Sequence, residues 1–445
     1  MFHRLLSIAL LLFTTTLSAS VEGTWRGTIT AGDVTPIVVE ISRAGDELRA
    51  TFVAVVEGKE MRGAYETVRL NGTRLLLATK GNGSVSEGDA EGDVYAGEYR
   101  NARGGRGTFR LVREGANRAD SSAGRVIETS IPAPSLRGNL LGDPDVQKVA
   151  VYLPPSYDRE PQRRYPVVVL LHGIAGSYED WTRHWQLPPT LDRLIARGDI
   201  CEMIVVMPNG ANRYMGGFYL NSPVTGGWED FITRDLLSWV DREYRTTAPR
   251  AIAGHSMGGF GAIMLSMKHP DLFASAYAMS PCCLDSVNDI SYGNAAWRRA
   301  LTFKTHEDLG RSLEEGDFYP VAIVALTAVF SPDKEKGPLF VKYPVTMQRG
   351  EIIPTDDYDR WLDQFPIRQI GKHAANLRTL RGLHLDYGID DQFAHIPEAT
   401  ADFSEALSTH RIPHTLDVYR GDHRAELVNR LEEIVFPTIS RDLGQ

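Results

Sequence analysis

A short apolar run at residues 251–253 leads straight into Gly254-His255-Ser256-Met257-Gly258-Gly259, and a helix-forming stretch follows to Lys268. A strand that must become a helix within so few residues constrains the fold strongly. The strand has to lie in a sheet, and the helix has to fold back over it. The turn fits the pattern G-x-S-x-G. In that setting the serine adopts a strained backbone conformation and its hydroxyl stands clear of the sheet. Gly254 and Gly258 provide the room, because neighbouring backbone passes where a Cβ would sit. The helix N-terminus favours negative charge developing beside Ser256. Phe260, Ile263, Met264 and Met267 recur at helical spacing and are expected to form one face against the sheet.

The surrounding sequence extends the pattern. Further strands are expected at 149–153, 167–171, 204–207, 274–279, 383–386 and 415–419, with helical stretches such as 231–243 between them. Alternation of this kind predicts an α/β fold with a mostly parallel sheet covered on both faces. Residues 22–113 differ in texture. Short β-rich runs at 37–41, 48–56, 75–78 and 108–112 are separated by Gly-rich turns, including the hairpin signals Asn71-Gly72 and Asn82-Gly83. This predicts a small antiparallel barrel or sandwich over 21–115, with a polar linker at 116–125. Its opening Gly23-Thr24-Trp25-Arg26-Gly27 resembles the start of lipocalin-like domains found on secreted hydrolases.

Residues 1–20 read as a secretory signal peptide. His3 and Arg4 precede an apolar run at 5–13 that is too short to span a bilayer, and Ser18-Ala19-Ser20 suits cleavage before Val21. Export to a bacterial periplasm or to the medium is the expectation, with no membrane span. The 48 Lys+Arg are outnumbered by 57 Asp+Glu, so no basic surplus points to nucleic acid. Three cysteines exclude a disulfide scaffold, although an exported chain could still bridge Cys201 to Cys282 or Cys283. With no C-x-x-C and no H-E-x-x-H, no metal or other cofactor is expected. Oligomeric state is left open.

A serine hydroxyl needs a base to become a nucleophile, and the base needs an orienting carboxylate. The acid belongs just past the strand at 383–386, where Asp390 and Asp391 are adjacent and spacing alone does not separate them. The base belongs after the strand at 415–419, in Arg420-Gly421-Asp422-His423; His410 and His414 precede that strand and fall at the wrong edge. Two backbone N–H groups are needed to hold an oxyanion. One is that of Met257. The other comes from the loop Leu171-His172-Gly173-Ile174-Ala175-Gly176, in which His172 is expected to shape the loop rather than react.

Several segments together carry a resemblance: Val151-Tyr152-Leu153-Pro154-Pro155-Ser156-Tyr157, Leu170-Leu171-His172-Gly173 with Trp181 behind it, Trp228-Glu229-Asp230-Phe231, the serine turn itself, and His269-Pro270-Asp271-Leu272-Phe273. From about residue 126 to its end the chain resembles the esterase D, feruloyl esterase and mycolyltransferase-like group of α/β-hydrolases. The resemblance implies Ser256 as nucleophile, Asp391 as acid through Gly388-x-x-Asp391, and His423 as base through Gly421-x-His423. It implies Ile174 and Met257 as the oxyanion donors. The expected function is a secreted serine esterase acting on a small-molecule or polysaccharide-linked ester. The alternatives are an acyltransferase, or an inert ligand-binding protein. The stretch 284–380 is longer than a plain connection and is expected to form a helical cap, with helices at 318–330 and 356–365. Val321, Ile323, Val324 and Leu326 are its candidate acyl-pocket residues.

Overall fold

The structure, a computed structural model, describes residues 21–31, 33–45, 47–56, 59–80, 83–91, 94–101, 104–113 and 123–444. The expected signal segment 1–20, most of the expected linker and the turn at Asn82 lie outside the described residues. The chain divides into two compact units, Met1–Arg118 and Ala119–Gln445.

The first unit is built from one antiparallel sheet of nine strands. Gly23–Ala31 is central, pairing with Asp33–Ala44 on one side and Arg106–Arg113 on the other. The edge strands, Lys59–Tyr65 and Thr67–Asn71, are consecutive in the chain. Only Glu66 separates them, so the two edges meet there as they would in a barrel, although no ladder joins them among the described residues. Alternation sets the core: Leu75 and Leu77 point inward from one strand, and Trp25, Val39, Tyr95 and Phe109 complete it. The buried polar tips are satisfied. Trp25 Nε1 donates to Val21 O at 2.9 Å, and Tyr95 OH reaches Leu75 O and Ser86 O at 3.1 and 3.0 Å. The Asn71-Gly72 hairpin forms as expected, with Asn71 opposite Arg74 and Gly72 at φ +65°.

In the second unit the strands are β1 (Arg125–Pro132), β2 (Val146–Leu153), β3 (Tyr165–Leu171), β4 (Ile204–Pro208), β5 (Thr246–His255), β6 (Ser275–Met279), β7 (Gly382–Gly388) and β8 (Thr415–Tyr419). They form one sheet in the order β1-β2-β4-β3-β5-β6-β7-β8. The sheet is mixed. β2 runs antiparallel to both β1 and β4, and the ladders from β4 to β8 are parallel. β1 falls where the sequence reading expects linker and then no strand. It is an edge strand with one buried residue, Ile131, so it carries little of the apolar signal that marks a strand.

Strand alternation divides the sheet's side chains between two cores. Val149, Val151, Val167, Val169 and Ile252 face one, and Ala150, Tyr152, Val168, Ala251 and Ala253 face the other. Helix α1 (Met257–Lys268) covers the first face. It was expected to bury a single stripe. Instead every residue from Met257 to Met267 is buried, because the chain between β6 and β7 and the loop around Phe218 between β4 and β5 pack over its outer side. Phe260, for example, meets Phe218 and Phe330 at ring-centroid distances of 5.8 and 6.1 Å.

That chain segment contains α2 (Phe318–Phe330), as expected, and a hairpin of Val345–Gln348 with Glu351–Pro354. The helix expected at 356–365 is confined to Tyr358–Leu362, and α3 (Pro366–Leu377) follows. The segment is pinned where it leaves and rejoins the sheet: Ile367 N donates to Leu284 O at 3.2 Å, and Arg381 N to Ala274 O at 2.7 Å. All three cysteines are free. The possible Cys201 bridge does not form, because Cys201 packs on one core while Cys282 and Cys283 sit in the other, across the sheet.

Candidate active site

Ser256 sits between β5 and α1 at φ +58°, ψ −117°, a region that non-glycine residues rarely occupy. The surroundings fix it there. Its N–H donates to Met279 O at 2.9 Å, and its carbonyl accepts from Phe260 N at 3.0 Å and Cys282 N at 3.2 Å. The flanking glycines are required: a Cβ on Gly254 would lie 2.3 Å from the Gly258 backbone, and one on Gly258 would lie 2.1 Å from Leu171 O. These contacts press the turn against the end of β3. The Ser256 hydroxyl makes no hydrogen bond among the described residues.

The loop after β3 adjoins this turn. A Cβ on Gly173 would stand 3.3 Å from Ser256 Cβ. His172 shapes the loop. Gly210 N donates to His172 Nε2 at 2.7 Å, so the ring proton sits on Nδ1 and is given to Gly173 O, also at 2.7 Å. Burial pushes the His172 pKa down, which keeps the ring neutral as this pattern demands. The Ile174 N–H, next in the chain, has no acceptor among the described residues. The Met257 N–H opens α1, where helix amides lack intrahelical partners.

The loops after β7 and β8 bring Asp391 and His423 together. His423 Nδ1 lies 2.7 Å from Asp391 Oδ2, with side-chain exposures of 2% and 0%. Asp390 is exposed, so the structure separates the two adjacent acids that the sequence left open. Phe393 N donates to the other Asp391 oxygen at 2.9 Å. Burial raises the Asp391 pKa to about 6, and burial lowers that of His423 to about 3. At neutral pH the pair is therefore a carboxylate and a neutral imidazole, the states a general base and its orienting partner need. His423 Nε2 makes no hydrogen bond among the described residues. His410 is exposed and His414 is bonded to Ser404 Oγ at 2.7 Å, apart from this cluster.

Two contributors had no role in the sequence reading. His255, the residue before the serine, donates from Nε2 to His423 O at 2.8 Å and packs its ring 4.4 Å from the His423 ring. It ties the Ser256 turn to the His423 loop, and its place inside the G-x-S-x-G pattern was the available signal. Beneath both loops Asp386 is fully buried and fully bonded, to Arg430 Nε at 3.0 Å, Tyr277 OH at 3.1 Å and Ser280 N at 3.1 Å. Arg430 also reaches Asp417 of β8 at 2.8 Å and lies over the Tyr419 ring. This network joins β6, β7, β8 and the helical segment that carries Arg430, next to the loops of Asp391 and His423.

A largely apolar pocket opens on Ser256, with about 580 Å³ of empty space including its mouth. Its walls include Ile174, Phe218, Trp297, Trp361 and Phe393. From α2 it takes Phe318, Tyr319, Ala322, Ile323 and Leu326. Of the four candidate acyl-pocket residues, Ile323 and Leu326 therefore line the pocket, while Val321 and Val324 face the packed core.

The family model described as "Putative esterase" matches residues 144–429. Two curated relatives, Esterase MT1326 and Esterase Rv1288 of Mycobacterium tuberculosis strains CDC 1551 and H37Rv, are each 39% identical over 215 residues, covering 42% of this chain and 43% of theirs. The chain thus spans less than half the length of the curated relatives it matches. Among solved structures, a ferulic acid esterase is similar at 23% identity and TM-score 0.48, covering 72% of this chain and 99% of its own. An S-formylglutathione hydrolase from Agrobacterium tumefaciens is similar at 19% identity and TM-score 0.49, covering 72% and 96%. With its family match extending over more than half of its length, the chain belongs to this esterase family.

Proposed function

We propose that the protein is a serine esterase that hydrolyses carboxylic esters, with Ser256 as nucleophile, His423 as base and Asp391 orienting His423. The reading is carried by one observation: Ser256, in a strained strand-to-helix turn that opens on an apolar pocket, is joined through His255 to the loop that holds the buried Asp391–His423 pair.

Rotation of the Ser256 hydroxyl toward His423 Nε2 begins the reaction. Ser256 Oγ attacks the ester carbonyl carbon as His423 takes its proton. The Met257 and Ile174 N–H groups donate to the developing oxyanion, each such donor contributing a factor of about 10²–10³. The intermediate collapses, and His423 gives its proton to the departing alcohol oxygen. Water then attacks the acyl-serine, losing a proton to His423, and the acid leaves as Ser256 regains its hydrogen. Asp391 stays ionised throughout and holds the Nδ1–H of the imidazolium that forms.

The full chain should hydrolyse p-nitrophenyl acetate and take up a fluorophosphonate probe, and Ser256→Ala should lose both. Turnover near the wild-type rate in that variant overturns the assignment. An acyltransferase would instead give new esters as the main product when a sugar alcohol competes with water. Export through residues 1–20 is part of the proposal, and a cytoplasmic location on cell fractionation would overturn it.

A further inference from the structure

Tyr219, in the loop after β4, is buried and takes no part in the reaction above. Its hydroxyl donates to His172 O at 3.0 Å. Phe218 and Tyr219 stand in succession at φ +49° and +53°, left-handed conformations that persist only where the surroundings hold them. Phe218 lines the pocket at Ser256, while the Tyr219 ring lies 6.1 Å from that of His172. Two glycines make room for the Tyr219 ring. A Cβ on Gly210 or on Gly261 would lie 2.6 Å from it. The ring thus fills the gap between the loop after β4 and α1. Gly210 is also the residue whose N–H fixes the His172 tautomer, donating to Nε2 at 2.7 Å. Tyr219 therefore holds His172 at both ends, its carbonyl directly and its imidazole by way of Gly210.

We propose that Tyr219 is a positioning residue for the oxyanion site, setting the direction of the Ile174 N–H. This rests on the esterase reading and deepens it. In a trans peptide the C=O and N–H point opposite ways, so a held carbonyl aims the amide that follows it. Gly173 O accepts from His172 Nδ1 at 2.7 Å and from Gly176 N at 3.1 Å, which turns the Ile174 N–H away from both. Tyr219 pins the preceding peptide in the same way, at His172 O. Between the two peptide planes stands Gly173, which has no Cβ to restrict its dihedrals. A Cβ there would stand 3.3 Å from Ser256 Cβ, so glycine is also what lets this joint approach the serine. Sterics leave the joint soft, and the hydrogen bonds on either side of it supply the stiffness. Beyond Ile174, Ala175 N donates to Met215 O at 2.9 Å, so the loop that carries Tyr219 grips this one on both flanks. Loss of the hydroxyl frees the first plane and lets the Ile174 N–H turn. An oxyanion donor is effective only when its direction is fixed before charge develops.

The test compares p-nitrophenyl acetate with the thionoacetate, in which sulfur replaces the carbonyl oxygen. Sulfur is a weak acceptor, so the ratio of kcat/KM for the oxygen ester to that for the thiono ester reads the oxyanion donors, whereas damage at Ser256, His423 or Asp391 lowers both together. Tyr219→Phe keeps the ring and removes the hydroxyl. The ratio should fall about tenfold, a part of the factor of about 10²–10³ that a whole donor supplies, and the loss should lie in kcat with KM within about twofold. 4-Aminophenylalanine at position 219, which restores a donor, should recover much of it. Tyr214→Phe is the control. Tyr214 is buried in the same loop and its OH donates to Leu339 O at 2.9 Å, so this variant loses a like bond without touching His172. Its ratio should stay within about twofold of the wild type. An unchanged ratio in Tyr219→Phe, or an equal fall in Tyr214→Phe, overturns the proposal and leaves the esterase reading standing. Should Tyr219→Phe fail to fold, 4-fluorophenylalanine at position 219 fills the space of the hydroxyl without donating and is read in the same way. A wild type that cleaves no ester and takes up no fluorophosphonate at Ser256 overturns both.

Discussion

His423 Nδ1 meets Asp391 Oδ2 at 2.7 Å with both side chains nearly sealed from water, while the neighbouring Asp390 faces solvent. Exchange of each acid for its amide should therefore have very different effects. Asp391→Asn keeps the shape but presents an N–H or a weaker acceptor to the ring, and kcat should fall by about 10³–10⁴. Asp390→Asn should stay within about twofold, as exposed substitutions generally do. Steady-state kinetics on p-nitrophenyl acetate decide the matter, and equal losses in the two variants would count against the assignment.

The same pair sets the acid limb of the pH profile. Burial raises Asp391 to about 6 and lowers His423 to about 3. As pH falls through about 6, Asp391 takes up a proton and the imidazole loses the acceptor that orients it, while His423 is still neutral. kcat/KM for an uncharged ester should therefore decline below about pH 6. The limb should vanish from the residual activity of Asp391→Asn. A wild-type profile flat to pH 4 would contradict this.

Gly258 has no space for a methyl group, since its Cβ would lie 2.1 Å from the backbone oxygen of Leu171. Backbone at the end of a central strand cannot yield cheaply. Gly258→Ala should cost at least about 1–3 kcal/mol of stability by overpacking. It should also cost most of the activity, because the shift falls on the turn that carries Ser256. Thermal unfolding and kinetics of one preparation test both effects, and an unchanged Tm would refute the clash.

Arg430 is the only cationic partner of Asp386 among the described residues. Arg430→Met leaves a buried carboxylate unpaired and should destabilise the fold by about 3–5 kcal/mol. Replacing Asp386 with Leu in the same chain should recover much of that. The pH dependence has a definite sign. Burial already raises the Asp386 pKa, and loss of the guanidinium raises it further. Protonation then removes the buried charge, so the deficit of Arg430→Met should shrink as pH falls. Urea unfolding at pH 8 and pH 5 measures it, and a deficit that grows on acidification would overturn the account.

The central machinery was legible because it depends on local chemistry. Ser256, Met257 and the two glycines lie within five residues, and the strands of the sheet's centre are apolar runs. Asp391 and His423 are 32 residues apart, yet each follows one of two adjacent parallel strands, β7 and β8, so their convergence could be anticipated. What escaped lacked such a signature. β1 buries one side chain, and strands of the first unit such as Val85–Glu91 and Val94–Arg100 carry Gly, Asp and Glu that suppress the β signal. Tyr219 and His172 are 47 residues apart and meet only through the packing of the loop after β4 against the loop after β3. No periodicity encodes that meeting.

The chain between β6 and β7 leaves one end of the sheet and, because the two strands are parallel, rejoins it at the other, and it is tied down at Leu284 and Arg381. Ser256, Asp391 and His423 all lie outside it, while α2 inside it supplies much of the pocket wall. On the proposed function, the reacting groups and much of the pocket wall are therefore written in separate stretches of sequence, although Ile174, Phe218 and Phe393 also line the pocket from outside that chain. On the same reading, replacement or lengthening within the span from 286 to 366 should reshape the pocket wall without touching Ser256, Asp391 or His423. A scaffold partitioned in this way can diversify by editing a single excursion of its chain.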